Sequence, residues 1–161
     1  MPLWQKNIYS KIMTFKQKIL QQHKILLQDK IDAFQDLISG LTIDAQNDAK
    51  GSAGDKHETA LSMMHLEQEK LNYKIREFLE LKSVLDKIDA NQKTSVVALG
   101  SIVKTNGMYL FLSAALPKII VEGKTIIALS QQSPLGTKLI GNSVGFEFEI
   151  NNSKFIIESV E

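Results

Sequence analysis

The sequence predicts an α+β protein, with an antiparallel helical hairpin over residues 1–92 followed by a small α+β domain over 93–161. Three observations carry this. Two seven-residue apolar rows fill the first half, a Gly/Ser-rich turn separates them, and short runs with strand-like patterning fill the second half.

In the first row, Leu20, Leu27, Phe34 and Leu41 recur every seven residues, with Lys24, Ile31, Ile38 and Ala45 as companions four positions on. That is an a/d seam with one charged lapse at Lys24. Gly40 lies inside it, at a cost of about 1 kcal/mol relative to Ala in a helix. Met64, Leu71, Phe78 and Leu85 form the second row, with Ile75, Leu81 and Ile88 as companions whose spacing wanders. Such a seam suits a short antiparallel pair better than a long parallel zipper. Between the rows stands Lys50-Gly51-Ser52-Ala53-Gly54-Asp55, which ends one helix, turns the chain and starts the next at Asp55. Helices over about 15–50 and 56–89 would make a hairpin about 50–60 Å long at 1.5 Å per residue, with its tip near 50–58.

Helical periodicity ends near Asp89-Ala90-Asn91-Gln92, the expected linker. Strands are expected in Val96–Val103, Met108–Ala114, Lys124–Leu129, Val144–Ile150 and Lys154–Val160. Phe146, Phe148 and Ile150 alternate with Glu147 and Glu149, as in a strand with one buried face. Asn106-Gly107 and Asn151-Asn152 mark tight turns. Ser133 as N-cap, Pro134 at the first helical position and Gly141 at the end bracket one short helix. The expected sheet is twisted and mainly antiparallel.

Composition narrows the function. The chain has 161 residues, 43% hydrophobic and 23% charged, within the range of globular domains. It has no apolar run near the length that spans a bilayer and no signal-peptide pattern. The absence of cysteine excludes disulfides and thiolate metal sites, and fits a reducing compartment such as the cytoplasm. A net charge of +1 predicts no stand-alone DNA binding. Charge is nevertheless polarised: residues 1–30 carry six Lys against one acid, whereas 31–60 carry six acids against two Lys. Two solvated helix faces of different sign account for this; so does an elongated object with one positive and one negative end.

At the tip, Asp55 and Glu58 are three residues apart and share a helix face. Asp-x-x-Glu is also a capping box, which by spacing alone is the commoner explanation. The alternative is a carboxylate pair that completes a Mg²⁺ site whose other ligands come from another protein, since Mg²⁺ takes oxygen ligands. His57-Glu58 does not extend to H-E-x-x-H, because Leu61 stands where the second His is required. His57 is a possible tip contact, and His23 and His65 are expected on helix surfaces. With no phosphate loop, nucleophile elbow or cysteine chemistry, the chain does not read as a free-standing enzyme.

Two segments carry a family resemblance. Gly54-Asp55-Lys56-His57-Glu58-Thr59-Ala60-Leu61-Ser62 resembles the tip motif G-D-L-x-E-N-A-E-Y of the Gre transcription cleavage factors. Ser133-Pro134-Leu135-Gly136-Thr137-Lys138-Leu139-Ile140-Gly141-Asn142-Ser143-Val144-Gly145 resembles their C-terminal pattern S-P-x-x-x-x-L-[LI]-G-x-x-V-G, the more specific of the two. Order and spacing agree over roughly residues 15–161.

The resemblance implies an FKBP-like C-terminal domain that docks on RNA polymerase through Gln132, Ser133 and Pro134. It further implies that Asp55 and Glu58 act within the polymerase secondary channel, hold a Mg²⁺ shared with the polymerase, and stimulate cleavage of the 3′ end of backtracked RNA. Lys56, Thr59 and Ser62 replace the family's Leu, Asn and Tyr, and residues 1–14 have no counterpart. A channel-binding regulator that does not stimulate cleavage is therefore the alternative. A peptidyl-prolyl isomerase is a remote one, because the phenylalanines of 93–161 are needed to fill a small core.

Overall fold

In a computed structural model, residues 2–5, 12–49 and 54–161 are described, without the side chains of 48, 49, 54, 55 and 57. Helices α1 (Phe15–Ala49) and α2 (Gly54–Asp86) are followed by strands β1 (Ile102–Thr105), β2 (Met108–Ser113), β3 (Ile119–Val121) and β4 (Lys124–Ser130). Helix α3 (Pro134–Leu139) and strands β5 (Glu147–Ile150), β6 (Ser153–Ile156) and β7 (Ser159–Val160) complete the chain. The class is α+β, with a long N-terminal helical hairpin and a mixed-sheet domain. No described helix is long and apolar enough to cross a membrane.

Two compact units divide the chain: Ile25–Lys82 forms one, and Met1–Lys24 with Ser83–Glu161 forms the other. In the helical unit, Gln28 meets Lys82, Phe34 meets Phe78 and Thr42 meets Gln68. As one number rises the other falls, so the pairing is antiparallel and within one chain. The Phe34 and Phe78 rings meet edge to face at 5.2 Å, and Leu27, Ile31, Ala45 and Ile75 are buried along the same seam.

In the other unit, five strands form a sheet in the order β3-β4-β2-β1-β7. Neighbours are antiparallel except β2 and β4, which run parallel with Phe111 opposite Ala128. The central strand β2 is buried on both faces from Leu110 to Ser113, the usual setting for a parallel pair. On one face, Val103, Leu110, Leu112 and Leu129 join Val97, Leu139, Phe148 and Ile157 in the main core.

The opposite face of β2 receives the first turns of α1. Phe15 packs edge to face on Tyr109 at 5.5 Å, and His23 stacks flat on Phe111 at 5.8 Å. Lys16 fixes this seam by donating from Nζ to the Gln92 carbonyl at 2.8 Å and the Glu161 carbonyl at 3.4 Å. Burial pulls its pKa below the ordinary lysine value, against the upward pull of Glu161 and Asp89.

Several expectations need correction. The segment expected as strand Val96–Val103 is irregular until Ile102, because Val97 exchanges backbone hydrogen bonds with Asn142 and Gly141 rather than with a strand. Val144–Ile150 is strand only from Glu147, and Lys154–Val160 divides into β6 and β7. Strand β3 was not expected. It pairs with β4 across Glu122-Gly123, whose φ angles of 53° and 74° make a tight hairpin turn. The β5–β6 hairpin forms a separate two-stranded sheet. The two Asn-led turns do form as expected, with Asn106, Asn151 and Asn152 all at positive φ.

Candidate functional site

Helix α3 has the terminus that its sequence predicts. Ser133 is the N-cap in extended conformation, and its Oγ accepts the Gly136 N–H at 3.0 Å. The same hydroxyl donates to the Ser130 carbonyl at 2.7 Å, and the Ser133 N–H donates to that carbonyl at 3.1 Å. One side chain thus closes the turn between β4 and α3 from both sides. Pro134 occupies the first turn, where a missing N–H leaves nothing unpaired.

Gln132 is exposed, and its position is fixed by Ser130, whose Oγ donates to Gln132 Oε1 at 2.6 Å and accepts the Gln132 N–H at 3.1 Å. Pro134 is exposed as well. The three residues Gln132, Ser133 and Pro134 therefore form a rigid, outward-facing corner with an amide and a proline ring on its surface.

Sequence reasoning missed two residues of this corner. Ser130 anchors both Gln132 and Ser133. Gly136 is required by space, since a Cβ there would overlap the Ser130 carbonyl oxygen and crowd Ser133 Oγ. The available signal was a glycine inside a six-residue helix, where it costs helix stability without an evident reason.

At the other candidate site, α2 begins at Gly54, one residue before the expected start at Asp55. The backbone of Asp55 and Glu58 lies in the first turn, so the two positions share a face. Glu58 is exposed. The side chains of Asp55 and His57, and residues 50–53 of the expected tip, lie outside the described residues, as do 1 and 6–11 of the N-terminal segment. Asp55 as a cap is therefore not described.

His65 is exposed, as expected of a helix surface. His23 is not. It is wholly buried against Phe111, with Nε2 at 3.3 Å from the Pro117 carbonyl oxygen and Nδ1 without a partner. Burial lowers its pKa below 6.5, outweighing the Pro117 contact. Its position beside Leu20 and Leu27 on the apolar row was the overlooked signal.

No family model and no curated protein matches the chain. Among solved structures, that of the transcription factor Gfh1 is similar at a TM-score of 0.32 and 15% identity, covering 86% of this chain and 92% of that one. A likeness this slight carries no functional argument.

Proposed function

We propose that this chain is a Gre-type factor of RNA polymerase. In this reading the Gln132-Ser133-Pro134 corner docks on the enzyme, and the start of α2 delivers Asp55 and Glu58 to its secondary channel. The observation that carries the reading is the Ser133–Gly145 pattern, whose Ser and Pro build a rigid exposed corner rather than a buried turn. The second support is the acidic pair in the first turn of α2, with Glu58 exposed.

Asp55 and Glu58 are oxygen donors suited to Mg²⁺, and two carboxylates leave most of an octahedron open. The pair therefore holds a shared ion only beside polymerase ligands, where a second Mg²⁺ supplies charge stabilisation for hydrolysis. The chain's own part is to place two negative charges there and to keep them placed by the helix. It is a stimulator of the polymerase's RNA cleavage, not an enzyme in its own right.

The test adds the protein to stalled, backtracked elongation complexes with Mg²⁺ and looks for short 3′ RNA fragments. Asp55→Asn and Glu58→Gln should each abolish stimulated cleavage while changing stability by no more than about 1 kcal/mol, the scale of a helix cap. Pro134→Ala and Gln132→Arg should weaken polymerase binding at an unchanged melting temperature. Full binding by both docking variants would refute the corner as the docking site.

Lys56, Thr59 and Ser62, in place of the family's Leu, Asn and Tyr, favour a second reading as a non-cleaving channel regulator. Binding without fragments in the wild-type protein would select it. The isomerase reading is weaker, since Phe146, Phe148 and Phe155 stack on one another at 5.7 to 6.3 Å and pack in the core rather than line a pocket.

A further inference from the structure

Within Ile25–Lys82, α1 carries Asp32, Asp36, Gly40, Asp44 and Asp48 at four-residue spacing, and residues 31–49 contain no Lys or Arg. Side chains four apart on a helix form a ridge, and here the ridge is broken in the middle by Gly40. The gap opens a groove of about 630 Å³ whose apolar part is Ala33, Leu37, Leu41 and Leu71. Asp36 and Asp44 line it on α1 one turn to either side of Gly40, and Glu67 borders it on α2.

The fold itself does not require the gap. Nothing lies within 4 Å of the place where a Gly40 Cβ would sit, so no close approach inside the chain demands glycine. Glycine in a helix interior nevertheless costs about 1 kcal/mol relative to Ala. Leu37 belongs to neither seam row and is 55% exposed, so the hairpin does not use it as core. Among the described residues, Asp36 and Asp44 take part in no ion pair, and Glu67 has only Lys70 at 3.9 Å. An exposed leucine that the seam does not use, a gap without an internal cause and two aspartates without an ion pair among the described residues occur in one place.

We propose that the Gly40 groove is a docking surface for a basic amphipathic helix of a partner protein. Asp36 and Asp44 are eight residues apart, about 12 Å along the axis at 1.5 Å per residue. A partner helix with one apolar side chain over Gly40 and Lys or Arg four residues to either side has the same spacing, so both cations reach an aspartate while the apolar group fills the gap. Glu67 adds negative charge on the far side and disfavours an acidic partner. The surface uses neither Asp55 and Glu58 nor the Ser133 corner, but it lies on the same hairpin about ten residues from the tip, so a helix docked there and insertion of the tip into the channel compete for one end of the molecule.

The test uses a fluorescent alanine-based helical peptide with one Leu flanked by Arg at four residues on each side, and the same peptide with Glu in place of Arg. Anisotropy with the full chain should show binding of the Arg peptide that weakens with salt, and none of the Glu peptide. Gly40→Leu fills the gap and should weaken binding at least tenfold without lowering the melting temperature. The double variant Asp36→Asn, Asp44→Asn should do the same by removing charge alone. No binding, equal binding of both peptides, or full binding by both variants overturns the proposal. So does a dimer in sedimentation that Gly40→Leu disperses, because the occupant is then a second copy of this chain.

Discussion

In the sheet-bearing unit, Val103, Phe111, Leu112, Ile126, Leu139 and Ile157 are wholly buried, packed on both faces of a five-stranded sheet. In Ile25–Lys82 the seam phenylalanines Phe34 and Phe78 are only partly buried, and Leu37, Ile43, Met63 and Leu66 stand more than half exposed. A two-helix pair has one shared stripe and no third layer, so it cannot remove as much apolar area from water. One unit is held by a closed core. The other is held by a stripe, and apolar side chains remain on its surface.

The largest test of this contrast compares two phenylalanines. Phe111→Ala removes a ring buried against His23 and the sheet, and should cost about 4–5 kcal/mol in denaturant unfolding. Phe78→Ala, in the seam, should fall near the lower end at about 3 kcal/mol. Equal costs would break the contrast, because the stripe would then be as closed as the core.

Gly136→Ala probes the tightest turn of the sheet-bearing unit. Its Cβ has to displace the Ser130 carbonyl, and the loss should approach about 3 kcal/mol, the upper range for overpacking. A variant melting like wild type would show that the β4–α3 turn relaxes and does not hold Gln132 and Ser133 in one geometry.

A smaller effect comes with acid. His23 is buried neutral with its pKa lowered, mainly by desolvation, from the 6.5 at which it titrates in the unfolded chain. Above 6.5 neither state carries the charge and the full stability is present. As pH falls below 6.5 the unfolded chain binds a proton that the folded one refuses, and stability is lost until the folded pKa is passed. His23→Leu should flatten this part of the melting-temperature profile. An unchanged slope would show that the ring is hydrated in the folded protein.

The smallest change should be a gain. Gly40→Ala meets open space on α1 and should raise stability by up to about 1 kcal/mol. A loss instead would mean that the stripe unit is packed more tightly at Gly40 than its surroundings indicate.

Local signals in the sequence were sufficient where the cause is local. The seam rows are visible because period seven maps directly onto one helix face, and Phe34 and Phe78 do meet. Ser133, Pro134 and Gly141 bracket α3 because cap chemistry acts within four residues. Asn106-Gly107 turns the chain because those two residues tolerate positive φ. Strand β3 escaped notice because three residues are too few to show a period, and its turn begins with Glu122 rather than Asn or Asp.

The sequence by itself determined the two helices, the capped corner at Ser133 and the acidic first turn of α2. Each depends on spacing along the chain, which a sequence records directly. Only the tertiary structure decided that His23 is core, that β2 and β4 run parallel, that Gly136 must be glycine and that Gly40 need not be. Those facts depend on which distant atoms come within van der Waals reach, and a linear pattern does not contain that distance.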